Sequence, residues 1–217
     1  MDVIAINGSP RKTWNTATLL TKALEGAKSV GANTELVHLY DLTFKGCTSC
    51  LKCKLKENTN LGICLYKDGL SKYLRKISEC NVLLLGSPIY ISAVTGVMHS
   101  FLERLFFPAL TYNIGHGSVF QGKVSSCFFY TMGAPEERAK SQNYETIFQF
   151  NEMRLKTLHG TSEYLASYNT YQFDDYSMYE ASMFDEKAKA EYKSEHFPID
   201  CQNAFDIGAR LASIERK

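Results

Sequence analysis

The feature that most constrains the fold of this chain is its first turn, where an apolar strand runs directly into a polar loop. Residues 3–6 form the apolar run, a tight turn follows at Gly8, and a helical pattern starts near Thr16. The free N–H groups and the dipole of a helix N-terminus favour an anion at such a turn. Gly8 has no Cβ, so the backbone could approach that anion closely.

The polar loop suits a single phosphate better than a pyrophosphate. It matches neither the GxxxxGK[ST] pattern of nucleoside triphosphatases nor the GxGxxG pattern of dinucleotide-binding proteins, because Gly8 is its only glycine. Hydroxyl and guanidinium groups form charge-assisted hydrogen bonds with phosphate oxygens. FMN is the common cofactor with a terminal monophosphate, and an ordinary capped helix is the alternative interpretation. The residues that we expect to bind the phosphate are Ser9, Arg11, Lys12, Asn15 and Thr16.

Strands and helices alternate along the rest of the chain. The pattern predicts strands over residues 3–7, 34–39, 81–85, 123–130 and 163–168, and helices over 16–30, 69–78, 94–107, 139–158 and within 184–211. This alternation indicates a doubly wound α/β fold, in which a mostly parallel sheet is covered by helices on both faces. We expect residues 1–217 to form a single domain. Residues 169–184, which are polar and rich in tyrosine, are expected to form a solvent-exposed surface loop.

Two further loops are expected to meet the first one. Ligands of doubly wound sheets bind beyond the carboxyl ends of the strands, so the loops after the first, third and fourth predicted strands should converge. The alternative is that the two later loops merely turn the chain. The residues that we expect beside a flavin ring are Pro88, Ile89, Tyr90, Ile91, Thr131, Met132 and Gly133.

Four of the seven cysteines lie in a long loop over residues 41–66. Cys47, Cys50 and Cys53 are separated by two residues each, and Cys64 follows after ten residues. Short spacings of this kind let thiolates converge on an iron–sulfur cluster. Three interpretations stay open at this point: a [4Fe–4S] cluster, metal-free thiols or a local disulfide, and structural zinc.

Composition excludes several classes of protein. The chain has 217 residues, of which 45% are hydrophobic, and its net charge of +1 gives no reason to expect nucleic acid or a membrane as a partner. No apolar run is long enough for a transmembrane helix, and the N-terminus lacks the pattern of a signal peptide. We therefore expect a cytoplasmic protein whose cysteines are reduced or bind a metal.

Several short motifs together resemble one known family. NGSPR at residues 7–11, the Asn15-Thr16 pair, SPIY at 87–90 and FLERL at 101–105 are similar to motifs of the NADPH-dependent FMN reductases, close to the iron–sulfur flavoproteins. The resemblance covers about residues 3–135. It implies a flavodoxin-like fold with a five-stranded sheet in the order 2-1-3-4-5, FMN as cofactor, and a homodimer or homotetramer.

The resemblance and the loops together predict an FMN-dependent oxidoreductase. Electrons would pass from NAD(P)H or a reduced protein donor through the flavin to a quinone, flavin or protein acceptor. We expect no side chain to serve as an essential acid or base, because the cofactor carries the hydride chemistry. The alternatives are a non-enzymatic electron carrier of flavodoxin type, which a net charge of +1 disfavours, and a redox sensor based on Cys47, Cys50 and Cys53.

Overall fold

Five parallel strands form the central sheet of the computed structural model, which describes residues 1–115 and 117–213. Together with one short additional strand, β4, they are β1 (Asp2–Asn7), β2 (Asn33–His38), β3 (Val82–Tyr90), β4 (Ala93–Val94), β5 (Val124–Thr131) and β6 (His159–Ser167). The parallel strands lie in the order β2-β1-β3-β5-β6, and the two-residue β4 pairs antiparallel with the end of β3. The predicted doubly wound, flavodoxin-like sheet is therefore confirmed, with β4 as an unpredicted addition.

Seven helices cover the sheet in the part of the chain that the structure describes. They are α1 (Asn15–Ser29), α2 (Ser71–Glu79), α3 (Gly96–Ala109), α4 (Glu136–Ser141), α5 (Glu145–Leu155), α6 (Glu186–Glu191) and α7 (Phe197–Ala212). A single π-helical turn, Tyr192–His196, connects α6 with α7. None of these helices combines the length and the apolar character needed to cross a membrane.

The alternating side chains of the central strands explain why both faces of the sheet are covered. Successive side chains of a strand point to opposite faces. In β3, Leu83 and Leu85 pack in one core with residues of α2, α3 and α5. Val82 and Leu84 pack in a second core with residues of α1 and α7. The continuous apolar run of β3 is thus the signature of a strand that is buried on both faces.

Two glycines allow α1 and α7 to cross in close contact. A Cβ placed on Gly26 would lie 1.9 Å from the carbonyl oxygen of Phe205, and one on Gly208 would lie 1.8 Å from that of Ala23. Real Cβ atoms do not approach backbone atoms so closely, so any side chain at either position would push the helices apart. This contact fixes α1 against the sheet and thereby sets the direction of its N-terminus.

The predicted helix over residues 139–158 is wrong, because the structure divides this segment into α4 and α5. Asn143 separates them with a left-handed backbone (φ 57°), which asparagine tolerates better than most residues. The N–H of Asn143 donates to the carbonyl oxygen of Lys140 at 2.9 Å, and that of Tyr144 to Ala139 at 3.0 Å. These bonds end α4 and let the buried Tyr144 begin the next helix.

The helix crossing predicts a strong effect of one added methyl group. Gly26→Ala is expected to lower the free energy of unfolding by about 1–3 kcal/mol, because the new Cβ overlaps the backbone of α7. Gly96→Ala is the matched control, since Gly96 begins α3 and a Cβ there would meet no atom within 4 Å. Urea denaturation of both variants measures the difference, and equal midpoints would contradict this account of the crossing.

Candidate functional site

A buried asparagine fixes the loop that follows β1. Asn7 ends β1, and its Oδ1 accepts the N–H of Ser9 at 2.9 Å. Its Nδ2 contacts Nδ1 of His38, at the end of β2, at 2.9 Å, and burial lowers the pKa of His38, which favours the neutral ring. The N–H of Arg11 donates to Oγ of Ser9 at 3.1 Å. The turn before α1 is therefore held by its own side chains.

The N-terminus of α1 has no side-chain cap. Trp14 occupies the cap position with an extended backbone; its side chain makes no capping hydrogen bond, and its carbonyl oxygen accepts the N–H of Thr18 at 2.9 Å. Asn15 donates through Nδ2 to the carbonyl oxygen of Tyr171 at 2.8 Å, and Thr16 forms a buried hydrogen bond through Oγ1 with Oγ1 of Thr131 at 2.7 Å. The first N–H groups of α1 are thus open to a ligand, and the helix dipole favours an anion there.

Three loops and two strand ends line a cavity next to this helix N-terminus. The loops follow β1, β5 and β6, and the last residues of β3 and β5 complete the lining at the carboxyl edge of the sheet. The cavity is lined by Ser9, Arg11, Trp14, Asn15, Thr16, Pro88, Ile89, Tyr90, Thr131, Met132, Gly133, Thr170, Tyr171 and Gln172. Ten of the twelve residues that we expected to bind the cofactor are among them, all except Lys12 and Ile91.

The structure places Lys12 and Ile91 outside this cavity. Lys12 forms an exposed ion pair with Asp41, with 2.6 Å between Nζ and Oδ1. Ile91 is fully exposed and has a left-handed backbone (φ 49°), as does Ser92 (φ 58°), in the two-residue turn between β3 and β4. It borders a larger adjoining depression, the outer hollow, which is also lined by Met132, Gly133, Ala134, Arg138 and Lys189.

The loop after β6 belongs to the cavity, so its prediction as a plain surface loop is wrong in part. Thr170 is buried and donates through its N–H and its Oγ1 to the carbonyl oxygen of Met132, at 2.9 and 3.1 Å. Tyr176 is buried as well. A guanidinium N–H of Arg11 donates to the carbonyl oxygen of Gln172 at 2.6 Å, which closes the loop over the cavity.

The missed residues had a signal in the sequence. Trp14, Thr170, Tyr171 and Gln172 line the cavity without having been expected there. The last three follow the fifth predicted strand, and the rule that ligands bind beyond strand carboxyl ends applies to that strand too. The guanidinium of Arg11 stacks on the ring of Trp14, 4.4 Å from the ring centre. The spacing of residues in the sequence does not predict this contact.

Helix α3 is joined to the loop after β1 by a buried threonine. Oγ1 of Thr95 donates to the carbonyl oxygen of Gly8 at 2.7 Å and also accepts the N–H of Met98, which caps α3. The N–H of Thr95 donates to Oγ of Ser87 at 3.0 Å. The N–H of Gly8 donates to the carbonyl oxygen of Gly86 at 2.8 Å. The loop after β1, strand β3 and the start of α3 therefore form one hydrogen-bonded unit.

The cysteines of the long loop line a second, separate hollow. Cys47, Cys50, Cys53 and Cys64 share it with apolar side chains that include Leu51, Leu65, Phe107 and Pro108. All seven cysteines are free thiols, so the structure contains no local disulfide. Among the described residues, no three histidine, cysteine, aspartate or glutamate side chains are close enough to hold one metal ion. Cys127 lies in the core, as its position in a predicted strand indicated.

A buried arginine of α3 organises this cysteine segment. Nε of Arg104 donates to Sγ of Cys64 at 2.9 Å, while its two terminal nitrogens donate to the backbone oxygens of Lys45 and Tyr66. They also pair with Asp68 at 2.8 and 3.3 Å. Burial opposes ionisation of Asp68, but the hydrogen bonds and charge of Arg104 outweigh it and hold the pKa of Asp68 below its usual value.

Two more contacts dock the cysteine segment on α3. Nζ of Lys54 donates to the last carbonyl oxygens of the helix, those of Phe107 at 2.6 Å and Pro108 at 3.3 Å, and to that of Leu110. A cation at a helix C-terminus is favoured by the helix dipole. The carboxylate of Glu103 accepts the N–H of Cys47 at 2.9 Å. Arg104, Lys54 and Glu103 thus hold both ends of the segment on one helix.

Comparison with known proteins identifies the family. A model of the family described as NADPH-dependent FMN reductase matches residues 1–162. The chain belongs to this family. The resemblance seen in the sequence motifs is therefore confirmed, and it extends over about three quarters of the chain.

Curated relatives of this FMN reductase family member are named iron–sulfur flavoproteins. One from Archaeoglobus fulgidus is 38% identical over 104 residues, which cover 48% of this chain and 48% of the relative. A second from the same organism is 32% identical over 145 residues, covering 66% and 61%. One from Methanocaldococcus jannaschii is 34% identical over 104 residues, covering 48% and 51%. The chain spans about half the length of the curated relatives it matches.

Solved structures with the same fold cover nearly the whole chain. An NAD(P)H:quinone oxidoreductase from Methanothermobacter marburgensis has a TM-score of 0.71 at 15% identity, covering 97% of this chain and 98% of that one. An FMN-dependent NADH-azoreductase from Bacillus anthracis, solved in complex with FMN, has a TM-score of 0.67 at 11% identity, covering 98% and 100%. At these identities the likeness shows the fold alone.

The buried pair of Arg104 and Asp68 predicts a large effect of removing the arginine. Arg104→Leu is expected to lower the free energy of unfolding by about 3 kcal/mol, because Asp68 and two backbone oxygens lose their donors in a buried place. Arg210→Leu is the control, since the Arg210–Glu163 pair is exposed and its loss should cost less than about 1 kcal/mol. Urea denaturation at neutral pH compares them, and equal losses would contradict the buried role of Arg104.

The same pair predicts a dependence on pH. The pKa of Asp68 is lowered in the folded protein, so its stabilising charge is fully present above its ordinary pKa of 3.8 and is lost as the pH falls below that value. The stability difference between the parent protein and Arg104→Leu should therefore shrink on acidification below 3.8. A difference that stays constant down to pH values well below this would refute the assignment to Asp68.

Proposed function

We propose that this protein binds FMN in the cavity at the carboxyl edge of the sheet and acts as an FMN-dependent oxidoreductase. The observation that carries the proposal is the uncapped N-terminus of α1, which opens into a cavity built by the loops after β1, β5 and β6 and by the end of β3. A strand-end cavity next to a helix N-terminus is where doubly wound proteins bind phosphorylated cofactors. Family membership and the FMN complex of a structural neighbour support the same cofactor.

The phosphate of FMN would lie against the start of α1. The free N–H groups of the first turn supply donors there, and Ser9 and Asn15 line the same cavity. Arg11 adds a positive charge, since its guanidinium is held over the cavity by Gln172 and Trp14. These groups fit one dianionic phosphate better than a pyrophosphate, because the loop has a single glycine.

The flavin ring would lie at the other end of the cavity. Pro88, Ile89 and Tyr90, the last residues of β3, line the cavity together with Met132 and Gly133 from the loop after β5. FMN supplies the electron and hydride chemistry when it is bound, and these residues orient the ring and restrict water. Tyr90 is half exposed, so one side of the site stays open to a reaction partner. No side chain of the cavity is assigned as an essential acid or base.

Electron donors and acceptors would reach the flavin ring from this open side of the site. NAD(P)H or a reduced protein would donate electrons, and a quinone, a flavin or a protein would accept them. The outer hollow adjoins the ring end of the cavity through Ile89, Met132 and Gly133, which line both. The names of two structural neighbours, a quinone oxidoreductase and an azoreductase, support small aromatic acceptors. The net charge of +1 favours an enzyme over a strongly acidic electron carrier.

We further propose that Cys47, Cys50, Cys53 and Cys64 hold a [4Fe–4S] cluster. They share one mostly apolar hollow, and the cationic groups of Arg104 and Lys54 lie beside it, which suits an anionic set of thiolates. Each thiolate of such a cluster binds a different iron, so the four sulfur atoms need not surround one ion. The cluster would supply one-electron chemistry. The curated relatives' name, iron–sulfur flavoprotein, supports it.

Assembly and location complete the proposal. We propose a homodimer or homotetramer in the cytoplasm. Exposed large side chains that include Tyr112, Ile114, Met178 and Tyr179 offer apolar surface for contacts between copies.

Two neighbouring cations of the loop after β1 give a direct test of FMN binding. Arg11→Met should weaken FMN binding at least about tenfold, because a charge-assisted hydrogen bond contributes about 1.5–3 kcal/mol. Lys12→Met, which removes the same charge from the next residue, should change the affinity less than about threefold, since Lys12 is paired with Asp41 outside the cavity. Quenching of FMN fluorescence on titration measures both. No binding by the parent protein would overturn the proposed function.

The cluster proposal is tested by metal content. After anaerobic reconstitution with iron and sulfide, the protein should contain about four irons per chain and show visible absorption that bleaches on reduction. Cys64→Ser should lower the iron content and the absorption strongly. Cys201→Ser is the control, because Cys201 packs against the α1–α7 core away from the hollow. Iron retention by Cys64→Ser, or tight binding of one zinc ion instead of iron, would refute the cluster.

A further inference from the structure

A buried lysine holds the loop at the ring end of the cavity. Lys189, in α6, is only 1% exposed. Its Nζ donates to the carbonyl oxygen of Gly133 at 2.6 Å, to Oδ1 of Asn169 at 3.0 Å and to the carbonyl oxygen of Thr170 at 3.4 Å. The ring of Phe184 covers it at 4.9 Å. Three oxygen acceptors satisfy the ammonium group, and all three are neutral.

No anion balances this charge within the described part of the chain. Lys189 has no carboxylate within ion-pair distance there, and a buried cation without a partner is costly. The neighbouring Asp185 accepts the N–H of Ala188 instead, which caps α6. Burial lowers the pKa of Lys189 to about 8, so the group is still mostly protonated at neutral pH. Arg138 lines the outer hollow, as Lys189 does, and adds a second positive charge there.

The ammonium group lies directly behind the wall of the cavity. Gly133 and Thr170, which accept its hydrogen bonds, both line the cavity. A Cβ on Gly133 would lie 3.7 Å from Nζ of Lys189 and 2.9 Å from Oε1 of Gln172. The carbonyl oxygen of Gly133 is bound by Lys189, while its N–H has no partner among the described residues. Because residue 133 has no side chain, only the backbone of Gly133 lies between the ammonium group of Lys189 and the ring end of the cavity.

We propose that Lys189 is a positioning residue that stabilises the negative charge which the FMN ring gains on reduction. The inference rests on the proposed FMN site. It assigns Lys189 as the positive group that would balance the negative charge of the reduced flavin. A positive charge near the ring is one of the levers by which a protein sets the reduction potential of a flavin. Because Lys189 is buried, water screens its charge less than it would screen a charge at the surface. Through Gly133, the same lysine also fixes the loop that borders the ring.

The test compares variants with and without the charge in the FMN-loaded protein. Lys189→Met removes the charge and keeps the length of the side chain, and Lys189→Arg keeps the charge. Lys189→Met should weaken the binding of reduced FMN relative to oxidised FMN at least tenfold, which lowers the two-electron potential by about 30 mV. Lys189→Arg should stay close to the parent protein. Potentials are measured by equilibration with a reference dye, and the affinity for oxidised FMN by titration.

A second readout uses sulfite, which adds as an anion to the oxidised flavin ring. Lys189→Met should bind sulfite at least about tenfold more weakly than the parent protein, because the adduct carries the same negative charge. If Lys189→Met fails to fold, Lys189→Gln gives the same comparison and keeps a donor for the carbonyl oxygen of Gly133.

The outcomes that would overturn the proposal are distinct. An unchanged potential in Lys189→Met and Lys189→Gln, with weaker binding of both forms of FMN, would show that the lysine only supports the loop. An equal fall in potential in Lys189→Arg would assign the effect to lost packing rather than to lost charge. Absence of FMN binding by the parent protein would instead refute the proposed function itself, and it is detected before any variant is made.

Discussion

The hydrogen bond from Oγ1 of Thr95 to the carbonyl oxygen of Gly8 fixes the relation between the two candidate sites. It binds the start of α3 to the loop that precedes α1. A helix rises about 1.5 Å per residue, which places Arg104 about 14 Å along α3 from Thr95. The cysteine hollow is lined by Arg104 and other residues in the second half of α3. Helix α3 therefore connects the cysteine hollow to the loop after β1, which lines the cavity.

The second organising principle is the way in which backbone carbonyl oxygens hold two lysines, the half-buried Lys54 and the buried Lys189. Lys54 donates to the carbonyl oxygens at the end of α3, and Lys189 donates to those of Gly133 and Thr170. Carbonyl oxygens satisfy the hydrogen-bonding capacity of an ammonium group but leave its charge in place, unlike a carboxylate. Each site thus keeps a positive field although the whole chain has a net charge of only +1. Overall charge says little about the fields inside such a protein.

The sequence predicted the sheet and most of the cavity because those features follow from local rules. The apolar run of β3 and the strand–helix alternation specify a doubly wound sheet, and the carboxyl-edge rule specifies where its loops meet. The same rule was not applied to the strand that became β6, so Thr170, Tyr171 and Gln172 were missed. Asn143 divides a helix by adopting a left-handed backbone, which asparagine allows but does not require.

Other features lay beyond the sequence because they arise from contacts between distant segments. Lys189 sits in a short polar helix that reads as solvent-exposed, and only the packing of α6 on the loops after β5 and β6 buries it. Arg104 was visible as part of a motif, but its bonds reach residues 36 to 59 positions away. Burial of a long charged side chain depends on which loop covers it, and residue spacing carries no such information.

The turn between β3 and β4 shows what tertiary contacts can impose on a local sequence. Two-residue hairpin turns with left-handed residues favour Asn-Gly, yet this chain has Ile91 and Ser92 there. A β-branched residue in that conformation is strained, and such strain persists only where surrounding contacts enforce it. Pairing of Ile89 with Val94 and of Tyr90 with Ala93 supplies that constraint, and Oγ of Ser92 donates to the hydroxyl of Tyr144 at 3.2 Å. The result is an exposed apolar side chain at the border of the outer hollow, which shares Ile89, Met132 and Gly133 with the cavity.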